Sequence, residues 1–151
     1  MSIMWKYLDK RSATIKVLKD YSSMQFIIEN TRDEIKGIQE DMIGCGGPSL
    51  SGIPKAHNPQ AGEDKIIKAL DEIDVLKERY RQAIEYMEWF EPAWDSLTEE
   101  ERYVLEAFYT DDVCKGSVHD ICNRYNIERS SAYNKKNRAL DKLTLHLYGC
   151  V

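Results

Sequence analysis

Proline and glycine are scarce in this chain, and they gather in one stretch. Among 151 residues there are only four prolines and eight glycines, and most of them fall between residues 44 and 62. Glycine lowers helix preference and proline removes a backbone N–H, so their scarcity elsewhere leaves room for long uninterrupted helices. The composition therefore favours an all-α protein over one that contains β-structure.

Long apolar runs are also absent. No stretch reaches the roughly eighteen apolar residues that a membrane-spanning helix needs. The opening Met-Ser-Ile-Met-Trp-Lys lacks the basic segment and the apolar segment of a signal peptide. We therefore expect a cytoplasmic protein without membrane contact.

Signatures of enzymes and metal sites are missing as well. The chain has no glycine-rich phosphate loop, no HExxH and no GxSxG motif, and His57, His119 and His146 lie in unrelated contexts. Its four cysteines show no CxxC spacing and match no common arrangement of metal ligands. We expect no enzymatic activity, no catalytic residues, no metal and no cofactor.

Two segments carry apolar residues at heptad spacing, which is typical of helices that pack along a seam. The first segment covers residues 8–42, and the second extends from residue 64 to about residue 90. The clearest rows are Tyr21, Ile28, Ile35 and Met42 in the first, and Ile66, Ile73, Tyr80, Met87 and Trp94 in the second. The pattern predicts a long coiled-coil helical hairpin in an acidic region, residues 1–96.

The same seams can pair between chains instead of folding back within one chain. A thin two-helix hairpin alone is not expected to bury all of the apolar side chains in these seams, which include Ile28, Ile35, Ile73 and Leu76. We therefore expect a homodimer or a higher homo-oligomer.

Helix-breaking residues separate and follow these segments. Residues 43–63 contain three prolines and are predicted to form a flexible loop. Pro92 is expected to kink or end the second helix near Phe90.

A further helix is predicted to begin after Leu97. Thr98 can cap its free N–H groups, and Glu101, three residues later, completes a capping box. Val104, Leu105 and Phe108 then supply its apolar face. This helix opens the second predicted domain, residues 97–151.

Charge divides the chain unevenly. Residues 113–151 hold seven basic and three acidic residues, whereas residues 1–112 hold 14 basic and 23 acidic residues. The net charges are therefore +4 and −9, which indicates two surfaces with different partners.

Residues 117–143 carry the pattern of two short helices that cross at a tight turn. Ser117 can cap the first helix, and Asn126 tolerates the left-handed backbone that such a turn needs. Ile127 is expected to fill the corner, and small side chains at Cys122 and Ala132 allow the helices to approach closely. The inward positions of the second helix are Ala132, Ala139, Leu140 and Leu143.

The outward positions of that second helix are polar or basic: Arg129, Ser130, Tyr133, Asn134, Asn137 and Arg138. Such side chains donate hydrogen bonds to phosphates and to base edges in the major groove. Double-stranded DNA is therefore the expected partner, and these six residues are the candidate DNA-binding site.

Residues 97–147 resemble region 4 of bacterial sigma factors. The likeness extends from Leu-Thr-Glu-Glu-Glu-Arg at 97–102, through Val-His-Asp-Ile at 118–121, to Arg-Ala-Leu-Asp-Lys-Leu at 138–143. The whole chain is similar to short transcription regulators of phages and prophages of Gram-positive bacteria, the ArpU- and RinA-type late regulators. The resemblance implies a sigma region 4-like helix-turn-helix, promoter binding, control of phage genes and contact with RNA polymerase.

Carried over by position, the resemblance assigns base reading to Arg129, Ser130, Tyr133 and Asn134, with Arg138 near the DNA backbone. Glu128 departs from the family, where a serine or threonine cap commonly precedes this helix. Residues 1–96 also lack the region 2 core with which a true sigma factor melts promoter DNA.

Two other functions fit the same pattern. The acidic hairpin can bind a protein such as a sigma factor or RNA polymerase while the tail serves for packing, without DNA contact. A small terminase-like DNA-packaging adaptor also joins a helix-turn-helix to a coiled coil. The exposure of Arg129, Asn134 and Arg138 separates the first alternative from DNA binding.

Overall fold

A computed structural model of the protein describes residues 8–44, 59–109 and 114–149, with Pro59 and residues 114–117 described by their backbone alone. The described residues form five helices and no strand: α1 (Lys10–Gly44), α2 (Pro59–Asp95), α3 (Glu99–Tyr109), α4 (Cys114–Tyr125) and α5 (Arg129–Tyr148). The prediction of an all-α protein is confirmed. Not one of these helices combines the length and the apolar character needed to cross a membrane.

The first helix is displaced by two residues from its predicted range, 8–42, and the second is longer than predicted. α1 continues to Gly44, and α2 begins at Pro59 rather than Asp64. Proline suits the first position of a helix, because its missing N–H would have no partner there. Of the predicted loop, residues 45–58 lie outside the described residues.

Pro92 does not end α2, which continues to Asp95. Phe90, Ala93 and Leu97, on either side of this proline, are all buried in one core cluster. Their burial holds the chain in place, while Pro92 itself is exposed. Pro92 therefore does not end the helix near Phe90, whereas the alternative of a kink at this place stays a prediction.

Local hydrogen bonds define several helix ends. The side chain of Asp9 accepts a hydrogen bond from the N–H of Ser12 at 3.2 Å, at the start of α1. The predicted capping box of α3 is confirmed, since Glu101 N–H donates to Thr98 Oγ1 at 3.3 Å and Thr98 N–H donates to Glu101 Oε2 at 2.8 Å. α5 ends at Gly149, whose φ of 74° is the left-handed conformation that glycine adopts without strain.

The described residues fall into two compact units. The first unit joins the residues up to Ser23 with those from Tyr86 onward, and the second unit comprises the residues from Met24 to Glu85. Each of the two long helices thus contributes to both units. The domain boundary that the sequence places at residue 96 stays a prediction.

The first unit contains two apolar clusters. The larger joins α1, the end of α2, α3 and α5 through nine buried residues: Leu18, Phe90, Ala93, Leu97, Leu105, Ala139, Leu140, Leu143 and Leu147. The smaller joins α3, α4 and α5 through Val104, Val118, Ile121 and Ala132. α5 is therefore packed along its whole length, first on α4 and then on the start of α1.

The second unit buries part of the predicted seam inside a single chain. Ile73 and Leu76 on α2 are only 4% and 7% exposed, and Thr31 on α1 is buried as well. Ile28 and Ile35 are half-buried. The premise that one chain cannot bury these seam residues is therefore wrong for Ile73 and Leu76.

Candidate nucleic-acid interface

A tight turn between α4 and α5 sets the direction of α5. Among the described residues other than glycine, Asn126 alone has a positive φ, at 50°. The N–H of Ile127 donates to the carbonyl of Cys122 at 3.1 Å, and the Ile127 side chain packs on the smaller cluster. The left-handed Asn126 and the corner position of Ile127 were both predicted.

Close packing fixes the first turns of α5 against α4. Ala132 is fully buried beside Ile121, and Cys122 is half-buried at the edge of the same cluster. A larger side chain at Ala132 would have no space, as the sequence analysis expected. The inward positions Ala139, Leu140 and Leu143 are buried too. However, α4 begins at Cys114, so the expected cap at Ser117 is wrong.

The six candidate DNA-binding residues lie in the first half of α5. Arg129, Ser130, Asn134 and Arg138 are exposed, Tyr133 is 38% exposed and Asn137 is half-buried. We call this set the exposed stripe. At 100° per residue, all of it except Arg138 falls within one side of the helix, and Arg138 lies at its border.

Three side chains of the exposed stripe have no partner among the described residues. Arg129, Asn134 and Arg138 form neither a hydrogen bond nor an ion pair within that part of the chain. A packing module would occupy these donors, whereas a DNA-binding surface needs them free. Their exposure is compatible with DNA binding, which stays a prediction.

Tyr133 is not simply an outward residue. Its ring lies 5.4 Å from the ring of Phe108 on α3, and Lys136 Nζ lies 5.4 Å from the Tyr133 ring centre. The same ammonium lies 5.3 Å from the Phe108 ring centre and 6.0 Å from that of Tyr109. Aromatic faces attract cations, so the rings hold Lys136 beside the exposed stripe without neutralising its charge.

The opposite border of α5 is neutralised by α3. Lys135 pairs with Glu100, and Lys142 Nζ lies 2.8 Å from Glu101 Oε2. Burial raises the pKa of the Glu101 carboxyl, but hydrogen bonds from Lys142 and Thr98 outweigh that effect and hold the pKa below its ordinary value of 4.5. Both basic residues therefore serve to attach α5 to the start of α3.

Glu128 directly precedes α5 and does not cap it. Its backbone is extended, and its side chain makes no capping hydrogen bond. The expectation that glutamate caps poorly at this position is consistent with that geometry. The first N–H groups of α5 are left without a side-chain acceptor from Glu128.

α1 contributes a charge that the sequence analysis did not place at this site. Arg11 Nη2 lies 2.6 Å from Asp141 Oδ1, and both side chains are partly exposed. Asp141 follows Asn137 by one helical turn and Asn134 by two, so it lies in line with the exposed stripe. The positions of Arg11 and Asp141 are 130 residues apart in sequence, and no local pattern could have paired them.

Metal chemistry finds no support in the described residues. They contain no group of three or more His, Cys, Asp or Glu side chains that could hold a metal ion. The comparisons with known proteins add no further assignment, since no family model, no curated protein and no solved structure matches this chain.

Proposed function

We propose that this chain is a DNA-binding transcription regulator that docks the first half of α5 in the major groove. The observation that carries the proposal is the exposed stripe, whose Arg129, Asn134 and Arg138 are unpaired within the described residues. In this proposal α4 and α5 act as a sigma region 4-like helix-turn-helix. The left-handed turn at Asn126 and the buried Ala132 support that assignment.

The remaining parts of the proposal rest on the sequence. The acidic first 96 residues form a coiled-coil hairpin that self-associates and contacts RNA polymerase, and the genes controlled belong to a phage or prophage. The protein acts in the cytoplasm and needs no cofactor. The resemblance of residues 97–147 to sigma region 4 and the net charge of −9 in residues 1–112 support these points.

The test is selection of the full-length protein against a library of randomised DNA duplexes, followed by titration of the selected site. Arg129→Ala is expected to cost about 1–3 kcal/mol on that site and to erase preference for it, as for loss of a bidentate contact with guanine. Asn134→Ala is expected to behave in the same way at an adenine. Arg138→Ala should weaken binding to all sequences equally and reduce the slope of log affinity against log salt by roughly 0.9.

Arg32→Ala is the matched control, because Arg32 is exposed in the second unit. It removes the same charge and is expected to leave affinity and selectivity unchanged. Absence of any selected site would favour the alternative in which the chain binds only proteins. Equal binding by the Arg129 and Arg32 variants would show that DNA is bound elsewhere and that the assignment of Arg129 is wrong. A selected sequence that occurs in phage genomes only at DNA-packaging regions, and not at promoters, would favour the terminase-like adaptor.

A further inference from the structure

The start of α1 lies against the second half of α5, in the first unit. Thr144 Oγ1 lies 2.9 Å from Thr14 Oγ1, and both side chains are fully buried. Leu18, one turn further along α1, shares a buried cluster with Leu140 and Leu143. The first turns of α1 are thus fixed to α5 by apolar packing as well as by a hydrogen bond.

Arg11 sits in the first turn of α1, at the border of this contact. Asp9 stabilises that turn, because its carboxylate accepts hydrogen bonds from the N–H and the hydroxyl of Ser12, at 3.2 Å and 2.6 Å. The Arg11 side chain is 45% exposed, and its Nη2 lies 2.6 Å from Asp141 Oδ1 as an ion pair. A guanidinium carries five N–H donors, so most of its donors remain available to solvent or to a ligand.

The position of Asp141 makes this pairing relevant to DNA. A rise of 1.5 Å per residue places Asp141 about 6 Å beyond Asn137 along α5. A helix lying in the major groove meets the phosphate backbone as it leaves the groove, and a free carboxylate there would repel the phosphates. Arg11 cancels that charge and presents a guanidinium at the same place.

A second cation lies at another edge of the exposed stripe, about 140° around α5 from Asp141. Lys136 Nζ is held over the rings of Phe108, Tyr109 and Tyr133. The charge of Arg11 also acts on Tyr109: burial raises the pKa of the Tyr109 hydroxyl, and the Arg11 charge opposes that rise. The exposed stripe is therefore bordered by two cations, one of which comes from α1.

We propose that Arg11 is a phosphate-contacting residue of the DNA interface, carried to the end of the exposed stripe by α1. The inference rests on the proposed DNA-binding function and adds to it a contact from the acidic region, residues 1–96. It makes the start of α1 part of the binding surface.

The experiment compares full-length variants on a fluorescent mixed-sequence duplex of about three helical turns, over a series of salt concentrations. Asp141→Asn serves as the background, because Arg11 then has no carboxylate to neutralise. Adding Arg11→Gln to that background is expected to reduce the slope of log affinity against log salt by roughly 0.9, and Arg11→Lys is expected to restore it. Arg32→Gln, in the second unit, should leave the slope unchanged.

Equal slopes for Asp141→Asn and for the Arg11→Gln/Asp141→Asn pair would overturn the inference, because Arg11 would then only neutralise Asp141. Helical circular dichroism of each variant checks folding, and Arg11→Met keeps the aliphatic stem if the glutamine variant unfolds. Absence of any binding by the unmodified protein would overturn the proposed function and this inference together. Binding with equal slopes would overturn the inference alone.

Discussion

Thr14 and Thr144 are joined by a hydrogen bond between two fully buried hydroxyl groups, from opposite ends of the chain. Each hydroxyl also forms a hydrogen bond within its own helix. Thr14 Oγ1 donates to the carbonyl of Lys10, and Thr144 Oγ1 donates to that of Leu140, both at 2.8 Å. A hydroxyl has one proton to donate, so the Thr144 proton is shared between Thr14 and Leu140. The pair fixes the start of α1 to the helix that carries the candidate DNA-binding site.

We expect Thr14→Val and Thr144→Val each to lower the free energy of unfolding by about 1 kcal/mol. The double variant should lose less unfolding free energy than the two single variants lose together, because the first substitution has already broken the bond between the two hydroxyl groups. Thr31→Val is the matched control, since the hydroxyl of buried Thr31 donates to the carbonyl of Ile27 in its own helix and to no other helix that the structure describes. Urea denaturation gives the free energy of unfolding of these four variants and of the unmodified protein. Strict additivity of the two single changes would contradict a bond between Thr14 and Thr144.

Glu101 should make the first unit sensitive to acid. Its pKa lies below 4.5 in the folded protein, so its ionised form stabilises the fold above the unfolded value, and that stabilisation is lost as pH falls through the folded value. Glu101→Gln is expected to lower the free energy of unfolding by about 1 kcal/mol at neutral pH. The difference in this free energy between the variant and the unmodified protein should shrink below about pH 4. Thermal denaturation across this pH range measures the effect.

Glu99→Gln provides the control for that measurement. Glu99 lies in the same first turn of α3 and carries the same charge, but it has no hydrogen bond within the described residues. Glu99→Gln should lower stability less than Glu101→Gln does. The stability difference between the Glu99 variant and the unmodified protein should not shrink in acid in the same way. Parallel curves for the two variants would show that the helix dipole, rather than the bonds to Thr98 and Lys142, governs the response.

Local features of this fold were predictable, whereas contacts between distant segments were not. The capping box of Thr98 and Glu101 spans three residues, and the turn at Asn126 depends on one backbone conformation. The Thr14–Thr144 pair joins residues 130 positions apart, and the spacing of residues in sequence carries no signal for it. The exposed positions Arg129, Ser130, Asn134 and Arg138 followed from helical periodicity. The packing of Tyr133 on Phe108 and the Arg11–Asp141 pair did not.

Pro92 shows why local propensity alone does not give the end of a helix. Local propensity ends a helix before proline, yet burial of Phe90 and Ala93 on the same helix outweighs it. The seam residues Ile73 and Leu76 illustrate the same point, because both are buried within one chain although their spacing also allowed pairing between chains. Periodicity located these residues correctly and could not give the partner surface.

Residues 97–151 are expected to be less stable alone than in the full chain. Leu97, Leu105 and Leu143 share a buried cluster with Leu18 and Phe90, which a truncation at residue 97 would remove. In the full chain, Phe90→Ala should cost about 3–5 kcal/mol, because it leaves a cavity among packed rings. Thermal denaturation compares the fragment, this variant and the full chain.

Glu91→Ala is the control for the Phe90 variant, since Glu91 is the exposed neighbour on the same helix. It is expected to change stability by less than about 0.5 kcal/mol. A fragment of residues 97–151 that melts at the same temperature as the full chain would support the domain boundary at residue 96 and contradict a shared core.

Self-association is expected to use exposed apolar residues near the start of α2. Ile66, Ile67 and Leu70 are 44%, 56% and 50% exposed, and they lie within about 100° of one another around the helix. Burying a large apolar side chain contributes about 1.5–3 kcal/mol, so Ile67→Lys with Leu70→Lys should raise the dissociation constant by at least about a hundredfold. Val75→Lys is the control, because Val75 is also exposed but lies about two turns of α2 beyond Ile67 and about 180° around the helix from Ile66. Sedimentation equilibrium should show a dimer or larger assembly for the unmodified protein and for the Val75 variant, and a shift toward monomer for the double variant. An unmodified protein that stays monomeric at high micromolar concentration would contradict self-association itself, whereas an unaltered assembly of the double variant would place the interface elsewhere.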